Sequence, residues 1–148
     1  MLACTQTHTQ IAYGGATDRS DLYIQPTILT DVDMKSEIMR EEIFGPLLPV
    51  IPVKSIEEAI TFVNSRPKPL ALYVFSKTSS VQKKVTRATT SGGVCVNDTL
   101  FHIANPYLPF GGVGPSGMGA YHGEHGFQTF SHSKAILTKP TWLDPSLR

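Results

Sequence analysis

Four groupings of side chains in this chain of 148 residues have the types and spacing that chemistry needs. The most distinctive is Glu41-Glu42-Ile43-Phe44-Gly45-Pro46, where a carboxylate and an aromatic ring stand two residues apart before a sharp Gly-Pro turn. In an extended segment that spacing sets Glu42 and Phe44 on one side. The carboxylate can accept two hydrogen bonds from a diol such as a ribose, with the ring as one wall of a flat pocket. A solvated carboxylate beside a core phenylalanine is the other reading of the same residues. Gly112-Val113-Gly114-Pro115-Ser116-Gly117 has the G-x-G-x-x-G spelling of a dinucleotide loop. That mechanism needs a strand before it and a helix N-terminus after it. The neighbouring Pro109-Phe110-Gly111 and the glycine-rich Met118 to Gly123 point instead to a tight structural loop. His122-Gly123-Glu124-His125, with His102 and His132 not far off, could offer metal ligands. Zinc requires three or four ligands at fixed geometry, and this segment does not read as a helix, so hydrogen-bonded loop histidines are the alternative. Cys4 and Cys95 are the candidate thiol nucleophiles. Activation needs a helix N-terminus, a cation or a base. Cys95, between Val94 and Val96, reads as a small buried hydrophobe, and Cys4 lies in a polar leader.

The elements that would hold these groups follow from periodicity. Leu47 to Val53 is an apolar run that Pro49 and Pro52 demote to an imperfect or edge strand. Ile56, Ala59, Ile60 and Val63 then fall at helical spacing, with Ser55 and Glu58 as a capping box and Pro67 and Pro69 as the stop. Leu70 to Phe75 reads as the next strand. Val81, Val85 and Ala88 share a face of a second helix capped by Thr78-Ser79-Ser80, and Val94 to Asn97 reads as a third strand. The pattern is β-α-β-α-β, an α/β fold with parallel strands. Gln10 to Tyr13 and Leu22 to Leu29 look like a strand pair around a polar turn, and residues 34–46 hold a short helical turn. Asn105 to Gly126 is loop chemistry. Phe127 to His132 and Ala135 to Leu137 suggest an extended terminal strand, which must pair with its own sheet or a partner's.

Composition bounds the function. A chain of this length could bury roughly 68–70% of its unfolded surface as one domain. With 41% hydrophobic and 17% charged residues it is globular rather than disordered. A net charge of +1, from 13 Lys+Arg against 12 Asp+Glu, gives no electrostatic footprint for nucleic acid. Two cysteines make no disulfide framework, and the start lacks a basic then apolar leader, so a cytoplasmic, reducing setting is the expectation. G-x-x-x-x-G-K-[ST], the phosphate-cradling loop, does not occur.

Taken together, ordered motifs from about residue 11 to 137 resemble the distal part of an aldehyde dehydrogenase, most like the class 3 branch. They are Tyr13-Gly14-Gly15, Pro26 to Val32, the EEIFGP hexapeptide at 41–46, and Lys68 to Tyr73. They continue through Ser91-Gly92-Gly93, Asn97-Asp98, Pro109 to Gly114, Ser116 to Gly123 and Thr129 to His132. The resemblance implies NAD- or NADP-dependent oxidation of an aldehyde to a carboxylic acid. In such enzymes a Cys thiolate adds to the aldehyde, hydride passes to the nicotinamide, and water activated by a Glu cleaves the thioester. By position, Glu42 resembles the glutamate that hydrogen-bonds the nicotinamide ribose, and Phe44 the aromatic packed near the nicotinamide. Phe101, Ile103, Tyr107 and Phe110 lie where the family builds a wall of the substrate tunnel. Residues 1–126 would be an incomplete catalytic domain, and 127–148 an oligomerisation strand and tail that joins a homodimer.

The departures from the family pattern shape the functional expectation. No Gly-Gln-x-Cys-like setting precedes EEIFGP, and Cys4 does not align with it. The general-base Glu, the oxyanion-hole Asn and the dinucleotide-binding domain have no counterpart. Without nucleophile and oxyanion donor, these 148 residues alone are expected to be inactive, with apolar edges left uncovered and therefore marginal stability or association. The expectation is a portion of a working enzyme. The alternative is a truncated, non-catalytic product that pairs with full-length subunits, while the polar leader after Met1 mildly favours a truncated reading frame. A third reading is an unrelated metal- or nucleotide-binding α/β domain.

Overall fold

The computed structural model describes residues 9–140 and 142, in two compact units that meet in sequence at Lys54 and Ser55. In the first unit, β1 (Gln10–Tyr13), β4 (Thr27–Thr30) and β5 (Leu47–Pro49) form a sheet in the order β1-β4-β5. β1 runs antiparallel to β4, with Ile11 opposite Leu29 and a register shift between Ile11 and Tyr13. β5 runs parallel to β4, with Thr27 opposite Leu47 and Leu29 opposite Pro49. Pro49 cannot donate to a ladder, which fits its place on an edge strand. Between β1 and β4 sits a small hairpin of β2 (Thr17–Asp18) and β3 (Tyr23–Ile24), and Pro26 separates it from β4. The expected strand pair is thus β1 with β4, and the turn between them carries a ladder of its own.

Alternation along β4 places Thr27 and Leu29 inside and exposes Ile28, so the core of this unit is one face of β4 with Leu47 beside it. Thr27 accepts a hydrogen bond from the Gly15 N–H at 2.9 Å through its hydroxyl, which in turn donates to the Gln25 carbonyl at 2.7 Å. Gly14 has φ +81°, and a Cβ there would lie 2.2 Å from the Pro26 carbonyl oxygen. Only glycine fits that turn.

The second unit begins with α1 (Ile56–Asn64), whose N-cap Ser55 hydroxyl accepts the Glu58 N–H at 3.2 Å. β6 (Ala71–Val74), α2 (Ser79–Ala88) and β7 (Gly93–Val96) then make a β-α-β unit with parallel strands, Tyr73 opposite Cys95. α1 and α2 are neighbours. The Asn64 amide donates to the Ala88 carbonyl at 2.8 Å, and Lys84 pairs with Glu57. The parallel β-α-β pattern therefore holds for β6-α2-β7. The expected first strand, β5, bonds to β4 within the first unit, and is shorter than the apolar run 47–53 because Pro49 and Pro52 lack the donors a longer ladder needs.

Past β7 the chain turns through α3 (Phe101–Ala104), a 3-10 turn at Gly114–Ser116 and α4 (Gly123–Thr129). The G-x-G-x-x-G segment closes on itself. The Val113 N–H donates to the Ser116 hydroxyl at 2.9 Å, and a Cβ on Gly112 would meet the Ser116 carbonyl oxygen at 2.1 Å. Gly111 is equally crowded, 2.0 Å from the Gly119 carbonyl oxygen, where Phe110 and Tyr121 exchange both backbone hydrogen bonds.

The C-terminal expectation needs correcting. Phe127, Gln128 and Thr129 close α4 and are not strand, and His122-Gly123-Glu124-His125 opens that same helix. The amide of Gln128 donates to Glu124 at 2.9 Å, and the Thr129 hydroxyl donates to the carbonyls of Ala120 and His125. These local bonds outweigh the β-propensity of Phe127, Thr129 and Phe130. Residues 131–140 carry no regular structure, and Ile136, Leu137 and Trp142 are exposed. The expected strand at Ala135 to Leu137 has no ladder partner here. Among the described residues the buried hydrophobic side chains are Leu29, Leu47 and Val74, while many large apolar ones face solvent. No helix among these residues is long and apolar enough to cross a membrane.

Two stability predictions follow from this packing. Gly111→Ala should cost about 1–3 kcal/mol by forcing backbone apart, whereas Gly126→Ala, inside α4 with nothing nearer than 4.0 Å to its Cβ, should stabilise by about 0.4–1 kcal/mol. Urea denaturation followed by circular dichroism measures both. The hydrogen bond and charge of Lys84 hold the Glu57 carboxyl below its ordinary value. The folded chain therefore binds that proton less readily than the unfolded chain, so this contribution is present at neutral pH and is lost as pH falls below the ordinary carboxylate range. Lys84→Met should flatten that part of the acid limb in a pH series of melting temperatures.

Candidate functional site

The Glu41–Pro46 segment lies in the first unit, between a 3-10 turn at Glu37–Met39 and β5. Its far end is anchored where the Thr27 N–H donates to the Pro46 carbonyl at 2.8 Å, and the Leu47 N–H reaches back to Gly45 at 2.9 Å. Its near end is stiffened by the Arg40–Glu37 ion pair. Glu42 and Phe44 are both exposed, with Ile43 half-buried between them. Phe44 is 89% exposed and holds φ +43°, a left-handed conformation that an aromatic residue rarely adopts. This is not a core phenylalanine in the described structure, and its backbone is not the extended one that the spacing implied. A carboxylate able to accept two donors and an uncovered flat ring fit the ribose and nicotinamide ring of a dinucleotide in chemical type.

The other candidates stand in the second unit. Phe101 and Ile103 lie on α3, Phe101 exposed and Ile103 half-buried. Tyr107, 88% exposed, follows in the loop, where its N–H donates to the Asn105 side chain at 3.0 Å. Phe110 is half-buried and is the hub of an aromatic cluster. Its ring meets Tyr121 edge-on at 5.8 Å, lies nearly parallel to His122 at 6.3 Å, and meets His102 edge-on at 6.0 Å. Phe101, Ile103 and Phe110 are brought onto one short stretch of chain around His102, whereas Tyr107 projects outward and makes no ring contact among those described.

His102, Tyr121 and His122 were not singled out as parts of this wall by the sequence. His102 is 8% exposed and sits against Tyr73 and Phe110. No periodic signal marks it, because α3 has only four residues. The Nδ1 of His122 bonds the Leu108 carbonyl oxygen at 3.0 Å, so this imidazole ties the loop down. His125 lies one turn along, in α4. Among the described residues no cluster of three His, Cys, Asp or Glu side chains could hold a metal ion. Cys95 lies within β7, as its flanking valines implied, but is half-buried where a buried position was expected, and Cys4 lies outside the described residues.

The family model for the aldehyde dehydrogenase family matches residues 3–136. The rat protein named aldehyde dehydrogenase, dimeric NADP-preferring is 58% identical over 130 residues, which are 88% of this chain and 29% of that protein. Aldehyde dehydrogenase family 3 member A2 of Pongo abelii is 57% identical over 88% of this chain and 27% of its own length. Among solved structures, the substrate-bound state of Staphylococcus aureus AldH superposes with a TM-score of 0.85 at 49% identity, over 97% of this chain and 31% of that one. The Mycobacterium tuberculosis aldehyde dehydrogenase complexed with NAD+ gives a TM-score of 0.78 at 32% identity, over 92% of this chain and 28% of its own. The chain thus spans less than a third of the length of these relatives. An α/β chain with parallel strands, the EEIFGP loop presented on the surface and a match along nearly its whole length belongs to the aldehyde dehydrogenase family, as a portion of its catalytic domain.

Proposed function

We propose that the whole polypeptide carrying this segment oxidises small-molecule aldehydes to carboxylic acids with NAD or NADP, and that this segment supplies one edge of the cofactor site and one wall of the substrate site. The observation that carries the reading is the Glu42–Phe44 loop, exposed yet pinned at Pro46, in a chain 58% identical to an NADP-preferring aldehyde dehydrogenase. The cofactor, when bound, supplies the hydride acceptor. Glu42 holds a ribose through its two carboxylate oxygens, and Phe44 offers a flat face that keeps water from one side of the reacting centre. Phe101, Ile103, Tyr107 and Phe110 line the approach of the aldehyde. Residues 1–126 are read as an incomplete catalytic domain and 127–148 as the segment that pairs between subunits of a homodimer in the cytoplasm. The exposed Phe127, Phe130, Ile136 and Leu137 support that pairing, and they equally suit the second reading, a non-catalytic product that docks on full-length subunits.

Among the described residues the thiol is Cys95. It lies within the β7 ladder opposite Tyr73. Loss of a single oxyanion donor costs roughly 10²–10³ in rate, and the family's Gly-Gln-x-Cys setting does not occur in these 148 residues. Incubation of this chain with an aldehyde and either cofactor should therefore produce no NADH or NADPH absorbance, and any turnover above buffer would overturn the reading. In the whole polypeptide, Glu42→Ala should lower kcat about 10- to 100-fold, the loss expected for hydrogen bonds to a charged group. The exposed position should leave the melting temperature unchanged. An unaltered hydride-transfer rate in single-turnover kinetics would remove Glu42 from the cofactor site.

A further inference from the structure

His102 is the most buried residue of α3 and the least explained. Both ring nitrogens are shielded from solvent without a hydrogen-bond partner, an arrangement that native proteins rarely leave without a purpose. The ring is wedged edge-on between Tyr73 of β6, at 5.8 Å and 76°, and Phe110 of the following loop, at 6.0 Å and 63°. Its floor is Gly93 at the start of β7. A Cβ there would stand 2.9 Å from Cδ2 and 3.2 Å from Nε2 of the imidazole, so the strand leaves out a side chain where the ring lies.

α3 cannot orient itself. Four residues are too few for a stable helix. It begins at Leu100, which has φ +65° and makes no side-chain cap hydrogen bond. Its direction is therefore imposed by the one side chain it buries. Successive helix residues are separated by about 100° around the axis, so seating His102 inward fixes where Phe101 and Ile103 project. The other side of the same imidazole carries Phe110. Phe101 and Ile103 thus take their direction from one ring, and the same ring packs against Phe110, which the backbone bridge to Tyr121 holds from its other side.

We propose that His102, seated on Gly93 between Tyr73 and Phe110, is a positioning residue that sets the shape of the aldehyde wall formed by Phe101, Ile103 and Phe110. The inference rests on the assignment of that wall and adds its determinant of substrate size. It makes a two-sided test available. His102→Ala removes the wedge from above, and Gly93→Ala pushes against the ring from below, while neither touches the wall residues themselves.

The experiment measures kcat and KM for benzaldehyde and for acetaldehyde in the whole polypeptide carrying this segment, with each variant, alongside Phe101→Ala and Tyr107→Ala. Both positioning variants should raise KM for benzaldehyde about tenfold, the size of a modest pocket change. The constants for acetaldehyde and for the cofactor should stay within twofold of the parent. Hydrogen exchange over residues 100–110 should quicken in both variants, a readout independent of turnover. Equal losses for both aldehydes, or unchanged selectivity beside unchanged exchange, would overturn the proposal. Selectivity that responds to Phe101→Ala but not to His102→Ala leaves the wall standing and removes its positioning residue. No response to Phe101→Ala or Tyr107→Ala removes the wall and the inference with it. If His102→Ala folds poorly, Gly93→Ala carries the same comparison.

Discussion

At Gly92 and Gly111 the backbone passes so close to itself that a side chain has no room. The missing Cβ of Gly92 would lie 2.2 Å from the Gly111 carbonyl oxygen and 2.6 Å from that of Leu70, and the missing Cβ of Gly111 lies against Gly119. Main-chain groups in such contact must be well aligned, because any lateral slip turns an approach into an overlap. The start of β7 is fixed this way to the end of the segment that precedes β6, where the Gly92 and Gly93 N–H groups donate to the carbonyls of Pro69 and Leu70 at 2.9 Å. The register of β6 with β7, the seat of His102 on Gly93 and the Phe110–Tyr121 bridge all inherit their positions from that crowded crossing. α4 begins just beyond it. The second unit is thus organised around a dense backbone junction more than around a large hydrophobic centre.

The first unit uses the same device once, at Gly14, and adds a polar clasp. Thr27 is 2% exposed, yet its hydroxyl is engaged with Gly15 and Gln25 and its N–H with Pro46. A buried hydroxyl so satisfied costs little and fixes the geometry of both turns it touches. The consequence reaches the surface. Phe44 can hold a left-handed backbone, normally unfavourable for a residue with a Cβ, because the chain on its C-terminal side is held by the anchored Gly45–Pro46 turn. Exposure and rigidity coexist there, which is what a loop that must meet a ligand without first ordering itself requires.

Much of this was legible in the residues. Ile56, Ala59, Ile60 and Val63 announced α1, Ser55 announced its cap, and the two prolines of the 47–53 run announced an edge strand, since each signal is local and each element obeys it. The motif set identified the family because several short segments agreed in order. The misreadings are equally physical. Phe127 and Phe130 stand three apart, a spacing that suits a helix face, but their β-propensity suggested a strand, and the bonds of Gln128 and Thr129 that decide the matter are invisible to propensity. Parallel periodicity could not say that β5 pairs with β4, because pairing partners are a tertiary choice. His102 drew notice only as a possible metal ligand, since its place in the packing comes from Gly93 and Tyr73, which reach it from β7 and β6.

Trp142 is the single tryptophan of the chain, and it lies in the solvent-facing stretch beyond α4. An indole already in water emits at nearly the same wavelength whether the strands behind it are folded or not. Intrinsic tryptophan fluorescence is therefore close to blind to the melting of either unit. The same indole would shift to the blue when residues 131–142 come to rest against another surface.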